Sequence, residues 1–356
     1  MAPLSPPSAL PTSVFDRARS VFTALRTRLL GVGLVLLSAI GYGFMPTLAH
    51  QAYGHGIGLA TLILERYLVA TVVFWLVIRA LRLPLPGRGA ALRALVFGGV
   101  LMTVPTWTYF AATTRIDASL AVLLVYLYPV LVVAASLCTA AGRSRASRTT
   151  LTALAVACLG LALVLATGLS GGPVDGIGVG LALLCALSYA AQTLGISRFA
   201  AGMHPMVFAA LVTTGGLATT AIAAVGAGNL GELAVPGAWP YSMVLGAACT
   251  VVALSAFTAG VAMVGPATAS IVSCAEVLVA CGAAAAVLGE RLTPVQLLGG
   301  AAVLASAVLV VRGSGGNGPD PEPQMEPVRD QDVQPVRVPA PRSAPDDQAA
   351  VAPAVG

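Results

Sequence analysis

The decapeptide Gly33-Leu-Val-Leu-Leu-Ser-Ala-Ile-Gly-Tyr42 recurs 147 residues later as Gly180-Leu-Ala-Leu-Leu-Cys-Ala-Leu-Ser-Tyr189, with six of ten positions identical. Both copies lie in strongly apolar runs. This spacing is far longer than the period of a solenoid repeat, which is about 20–50 residues. The sequence therefore indicates one ancestral half that is present twice.

The composition places the chain in a lipid bilayer. Hydrophobic residues make up 57% of the sequence and charged residues 9%, the mean hydropathy is +0.89, and a soluble fold cannot bury that much apolar surface. A helix needs about 20 apolar residues to cross a bilayer. We therefore predict an all-α integral membrane protein with ten transmembrane helices, called spans 1 to 10. The predicted spans are 29–49, 57–78, 94–113, 118–138, 149–168, 177–197, 205–226, 241–263, 267–288 and 295–312.

The basic residues indicate how these spans are oriented. All 19 are arginines, and most of them cluster in alternate connections, as is typical of cytoplasmic loops. The clusters are Arg17, Arg19, Arg26 and Arg28; Arg79, Arg82, Arg88 and Arg93; and Arg143, Arg145 and Arg148. This distribution predicts that both termini are cytoplasmic. Because five crossings separate the two decapeptides, we predict two inverted five-helix repeats, an arrangement typical of transporters.

Several short motifs, in their order along the chain, resemble the EamA-like family of the drug/metabolite transporter superfamily. Arg66-Tyr67 in span 2 is similar to the family's arginine followed by an aromatic residue. Tyr128-Pro129 and Glu276-Val277 stand where the family has a Tyr-Pro or Glu-Pro pair in the fourth helix of each half, and the second copy has lost the proline. Gly289-Glu290-Arg291-Leu292 matches the end of that helix, where the first half reads Gly142-Arg143.

The resemblance covers residues 29–312 and implies two five-helix halves in inverted orientation. We assign residues 29–168 to the first EamA-like repeat and 177–312 to the second, after a cytoplasmic N-terminal segment of residues 1–28. Residues 313–356 contain many prolines, seven acidic residues and no aromatic residue. Such a composition cannot build a core, so we predict a disordered cytoplasmic tail.

Two glutamates lie within the predicted spans, where an ionised carboxylate is costly. Glu276, near the centre of span 9, has two interpretations. It is either a protonatable group on a transport path or a carboxylic acid that hydrogen-bonds a neighbouring helix. Glu65, near the centre of span 2, is a second candidate for proton coupling.

Arg66 follows Glu65 and lies about 100° from it around the helix, so at most one of the two points squarely into a central cavity. Two interpretations stay open. Arg66 forms a structural ion pair with Glu65 or Glu276, or it contacts an anionic group on the substrate, since arginine can hold a carboxylate through two parallel hydrogen bonds.

Equivalent aromatic residues point to a shared site. Tyr42 and Tyr189 close the two decapeptides, and internal symmetry places them facing a common centre bounded by spans 1, 2, 4, 6 and 9. Aromatic residues with a polar tip suit a cavity wall, although aromatic residues at helical spacing also serve packing. The candidates for the substrate pathway are Tyr42, Arg66, Trp107, Tyr126, Tyr128, Tyr189, Gln192 and Glu276. The candidates for a gating contact are Glu290 and Arg291.

These features predict a secondary transporter of the cytoplasmic membrane. The resemblance implies an amino acid or a drug-like solute as substrate, with export the commoner direction. The expected partners are a small molecule and the bilayer, without nucleic acid. No cofactor or metal is expected, because the sequence has no phosphate-binding loop and His50, His55 and His204 lack metal-site spacing. The alternative is an integral membrane enzyme or a non-transporting membrane partner in a biosynthetic pathway, but an enzyme should cluster polar residues at one membrane face.

Overall fold

The computed structural model describes residues 13–139, 148–166, 175–226, 239–289 and 292–313, which form helices and no strand. A π-helical segment, Ala247–Val252, joins the α-helix Trp239–Gly246 to the α-helix Ala253–Val264. The helices are α1 (Ser13–Gly43), α2 (Met45–Gly54), α3 (Leu59–Ala80), α4 (Arg88–Thr113), α5 (Ala118–Val125), α6 (Tyr128–Thr139), α7 (Arg148–Ala166), α8 (Gly176–Phe199), α9 (Pro205–Gly226), α10 (Trp239–Gly246), α11 (Ala253–Val264), α12 (Pro266–Ser273), α13 (Ala275–Leu288) and α14 (Pro294–Gly313).

Within these ranges, ten helical segments are long and apolar enough to cross a membrane. The predicted all-α fold with ten spans is therefore confirmed. Spans 2, 3, 5, 6, 7 and 10 are single helices, whereas spans 1, 4 and 9 each consist of two α-helical pieces and span 8 consists of two α-helical pieces joined by the π-helical segment. The helix that contains span 1 starts at Ser13, well before the predicted span. The gating candidates Glu290 and Arg291, and residues 314–356 of the predicted tail, lie outside the described residues.

The breaks in spans 4 and 9 lie at equivalent places in the two repeats. Span 4 is interrupted at Tyr126-Leu127, and span 9 is interrupted at Cys274, 148 residues after Tyr126. Pro129 accounts for the first break, because proline has no N–H to continue the helical hydrogen bonds. The second repeat has no proline there. The hydroxyls of Ser270 and Ser273 instead bond to carbonyls three and four residues earlier, a pattern that bends helices.

The two repeats interlock by exchanging their first spans. Spans 3 and 4 of the first repeat pack against span 6, and spans 8 and 9 of the second repeat pack against span 1. Span 2 packs against spans 7 and 8, span 7 against spans 2 and 3, and spans 5 and 10 against each other. This exchange follows the internal two-fold relation. It places the decapeptides of spans 1 and 6 beside the broken helices of the opposite repeat.

An exposed ion pair joins the repeats at one end of the bundle. Arg115, which follows span 3, donates to the carboxylate of Asp175 at 3.1 Å. Asp175 precedes span 6 and caps α8 by accepting a hydrogen bond from the amide of Ile177, also at 3.1 Å. The hydrogen bond from Arg115, followed by that from the Ile177 amide, holds the pKa of Asp175 below its ordinary value. Asp175 is therefore ionised at neutral pH, where the pair is open to screening by salt.

Glycines allow spans 3 and 7 to approach closely. A Cβ atom on Gly98 would overlap the backbone of Val212, and one on Gly215 would overlap the backbone of span 3. Small residues at such crossings let membrane helices pack backbone to backbone. Open space surrounds the Cβ positions of Gly33 and Gly180. Packing therefore requires glycine at the span 3 and span 7 crossing but not at the start of either decapeptide.

We predict that Gly98→Ala lowers the melting temperature of the purified protein, because the added methyl group forces spans 3 and 7 apart. Overpacking of this kind costs about 1–3 kcal/mol. Thermal unfolding in detergent measures the effect. Gly180→Ala is the matched control, since both substitutions gain the same helix propensity and only Gly98 faces a backbone. Equal melting temperatures for the two variants would contradict the close approach.

Candidate functional site

Six side chains from spans 1, 2, 4, 6 and 9 lie near one another in the middle of the bundle. Both repeats contribute to this group, which we call the central cluster. The residues are linked by ring contacts and by electrostatic interactions across the spans. The central cluster consists of Tyr42, Arg66, Tyr126, Tyr128, Tyr189 and Glu276.

Glu276 owes its position to the break in span 9. It lies in the first turn of α13, directly after the interruption at Cys274. The positive end of a helix dipole favours a carboxylate at this position. The hydroxyl of Tyr126 lies within hydrogen-bonding reach of the Glu276 carboxyl group, and Tyr42 and Tyr189 are close enough to interact with it electrostatically. The acid therefore stands among phenols and, in the part of the chain that the structure describes, has no cation as its partner.

Three of the four tyrosines of the central cluster are in ring contact, with Tyr128 in the middle. The ring centroid of Tyr128 lies 6.0 Å from that of Tyr126 and 5.9 Å from that of Tyr189. Tyr128 stands in span 4 where Glu276 stands in span 9, so the symmetry-related positions carry a phenol and a carboxyl group. The internal repeat thus builds a symmetric frame with chemically different sides.

Most of the central cluster keeps accessible surface although its members surround one another. Tyr42, Arg66, Tyr126 and Glu276 are half-buried, and Tyr189 is 39% exposed. Because these neighbouring side chains keep accessible surface, we expect them to line a common opening. The chemistry of that opening combines hydroxyl donors and acceptors, one guanidinium and one carboxyl group.

Arg66 has no ion-pair partner, which corrects the expectation of a structural ion pair with Glu65 or Glu276. Within the described ranges, the carboxylates of both glutamates lie beyond ion-pair distance of its guanidinium. The Nη1 atom donates to the sulfur of Met45 at 2.8 Å, and the guanidinium carbon lies 4.6 Å from the ring centroid of Tyr67. The ion pair does not form because Glu65 points toward span 8 and Arg66 points toward span 1.

Glu65 lies away from the central cluster. Its side chain is 2% exposed, and the hydroxyl of Ser242 in α10 donates to its Oε2 atom at 2.5 Å. The Oε1 atom is buried without a hydrogen-bond partner. Glu65 therefore joins span 2 of the first repeat to span 8 of the second.

The other two pathway candidates occupy different surroundings. The amide nitrogen of Gln192 lies 3.5 Å from the sulfur of Met102, whose carbonyl accepts a hydrogen bond from the hydroxyl of Tyr67, also at 3.5 Å. Gln192 and Tyr67 thus both contact Met102. Trp107 lines a groove of about 280 Å³ between spans 2 and 3, together with Thr61 and neighbouring residues. The structure does not bring Trp107 to the central cluster.

Comparison with known proteins gives the chain its family. The model of the EamA-like transporter family matches residues 29–166 and residues 176–312. The chain belongs to the EamA-like transporter family. This finding confirms the predicted resemblance and the architecture of two repeats.

A solved structure shares the fold of this chain. A crystal structure of a protein with 16% sequence identity aligns with a TM-score of 0.67, over 82% of this chain and 99% of its own chain. At this level of identity the likeness shows the fold alone. No curated protein matches the chain.

Membership of the EamA-like family makes this a membrane-embedded chain of a transporter family, with a small molecule as the substrate class that the family implies. In the described part of the chain, no three His, Cys, Asp or Glu side chains gather as a metal site would require. The central cluster combines hydroxyl, guanidinium and carboxyl groups, which are kinds of group that bind small polar molecules.

Three residues that contact Arg66 or Glu65 were not predicted from the sequence. Tyr67 covers Arg66, Met45 accepts its hydrogen bond, and Ser242 holds Glu65. The sequence did contain a signal for Tyr67, because the EamA-like motif pairs the arginine with an aromatic residue. Met45 and Ser242 had none, since an apolar thioether and a single serine in an apolar run carry no pattern that marks a contact across helices.

Proposed function

We propose that the protein is a secondary transporter that exports a small metabolite, an amino acid or a drug-like solute, by alternating access. The proposal rests above all on the central cluster, in which accessible polar side chains from both repeats surround one opening in the middle of an apolar bundle. Ionisable residues inside a membrane are expensive and mark substrate or ion pathways. Sites between inverted repeats, next to interrupted helices, are typical of secondary transporters.

Counterflow in proteoliposomes tests the transport proposal. Vesicles loaded with one unlabelled amino acid at high concentration are expected to accumulate the same radiolabelled amino acid when they contain the protein. The effect arises because a carrier exchanges solute across the bilayer, whereas an enzyme or a receptor does not. Each amino acid is measured separately, and protein-free liposomes are the control. Uptake equal to that of protein-free liposomes throughout the set would contradict the proposal.

We propose the cytoplasmic membrane as the location, with both termini in the cytoplasm. The arginine clusters in the N-terminal segment, between spans 2 and 3, and between spans 4 and 5 support this orientation, since cytoplasmic loops are enriched in basic residues. A reporter enzyme that is active only in the cytoplasm, fused after Gly356, is expected to be active. An active periplasmic reporter at the same place would overturn the orientation.

We further propose that proton coupling, if the solute moves against protons, uses Glu276 and not Glu65. Glu276 is half-buried among the tyrosines and has no cation partner in the described ranges, which supports a role in which it meets both a proton and a solute. Glu65 is buried against Ser242. A carboxyl group held in that contact serves the packing of span 2 on span 8.

We predict that Glu276→Gln abolishes accumulation of solute in vesicles that are acidic inside, but leaves counterflow intact. The amide keeps the shape of the side chain and cannot carry a proton, so exchange of solute continues without coupling. Radiolabelled uptake under both conditions measures the effect. Glu65→Gln is the matched control, because its amide oxygen still accepts the hydrogen bond from Ser242. Unchanged gradient-driven accumulation by Glu276→Gln would sink the proposal, and its loss in Glu65→Gln would transfer the role to Glu65.

A further inference from the structure

Arg66 stands in the middle of span 2, and no carboxylate of the described residues lies within ion-pair distance of it. An arginine near the centre of a membrane helix is costly to insert. Such a residue is normally paired with a carboxylate or with backbone carbonyls. In the described residues, the hydrogen bond from Nη1 goes to the thioether of Met45, and Nε is buried with no partner at all.

The contacts of Arg66 hold its guanidinium in place without neutralising it. A thioether sulfur is a weak acceptor, and the ring of Tyr67 contributes a cation–π contact at 4.6 Å. Tyr42, Tyr53 and Cys249 lie within electrostatic range and are neutral groups. Two side chains thus fix the plane of the guanidinium, while several of its N–H donors are left for another molecule.

Arg66 is also more accessible than its neighbours in sequence. Glu65 and Tyr67, its neighbours in sequence, are each 2% exposed, whereas Arg66 keeps accessible surface. Tyr42 interacts with both Arg66 and Glu276, and so does Tyr189. The positive group and the carboxyl group therefore lie near the same two phenols.

We propose that Arg66 recognises a carboxylate on the transported molecule. The inference rests on the proposed function, because it names the substrate chemistry of the same site. A planar guanidinium with free donors matches a carboxylate through two parallel hydrogen bonds. A single cation that shares its opening with Glu276 suits a group of one negative charge. A phosphate group with two negative charges would require further cations.

A thermal-shift experiment on the purified full-length protein tests the proposal. The probes are acetate, lactate, benzoate, alanine and phenylalanine, each paired with its uncharged amide, together with inorganic phosphate. A bound ligand raises the melting temperature of the folded state. At least one acid is expected to raise the melting temperature in a saturable way, while its amide and phosphate leave it unchanged.

Variants of Arg66 sharpen the test. For the acid that binds, Arg66→Lys is expected to raise the apparent Kd at least tenfold, because a point charge lacks the two parallel hydrogen bonds. Arg66→Gln is expected to abolish the shift while keeping or raising the melting temperature of the unliganded protein, since no buried carboxylate loses its partner. A purely structural role would lower that melting temperature. Arg115→Gln, which removes an exposed guanidinium at the end of the bundle, is the control and is expected to bind as the wild type does.

Four outcomes would overturn the carboxylate assignment. The first two are the absence of an acid-dependent shift in the wild type and equal shifts for an acid and its amide. The other two are binding of the acid by Arg66→Gln at wild-type affinity and a shift with phosphate that depends on Arg66. The test does not depend on transport. Acid-dependent binding together with failed counterflow would overturn the proposed function and leave the recognition by Arg66 standing.

Discussion

A bilayer offers no water to unpaired polar groups, and the rest of the structure depends on this constraint. Backbone amides and carbonyls must find partners within their own segment, so the spans are helical. Side chains obey the same rule, which explains why serine and threonine hydroxyls in the spans so often bond to carbonyls one turn earlier. A polar side chain that escapes the rule must face an opening or a partner across helices. In this protein Arg66 and Glu276 keep accessible surface, whereas Glu65 has a partner across helices in Ser242.

Duplication supplies the frame in which those few polar groups work. The repeats exchange their first spans, so each decapeptide lies beside the broken helices of the opposite repeat. The packing units are thus not the two halves of the sequence. Gly98 and Gly215 permit one of the closest crossings between the repeats, and Asp175 and Arg115 add a contact between the repeats at the surface. Motion of one half as a rigid body would have to separate spans that are packed together across the repeats.

The two repeats arrange their helices alike but carry different side chains at equivalent positions. Tyr128 and Glu276 follow equivalent breaks, but one carries a phenol and the other a carboxyl group. Even the breaks have different causes, since Pro129 interrupts span 4 and serine hydroxyls bend span 9. A helix can therefore keep its kink after losing the proline, because neighbouring side chains compete for the same backbone carbonyls.

The sequence by itself determined the bilayer, the ten spans and the two inverted repeats. These follow from apolar length, arginine distribution and the repeated decapeptide, all of which are local patterns along the chain. It also nominated Tyr42, Tyr189 and Glu276, which the fold gathers in one cluster. The tertiary structure decided what the polar residues touch. Glu65 and Arg66 are adjacent in sequence, yet one meets Ser242 and the other meets Met45 and the opening. Such contacts depend on how span 2 is rotated against its neighbours, and helix packing sets that rotation. Glu65 and Ser242 are 177 residues apart in the sequence, so no local pattern encodes their contact.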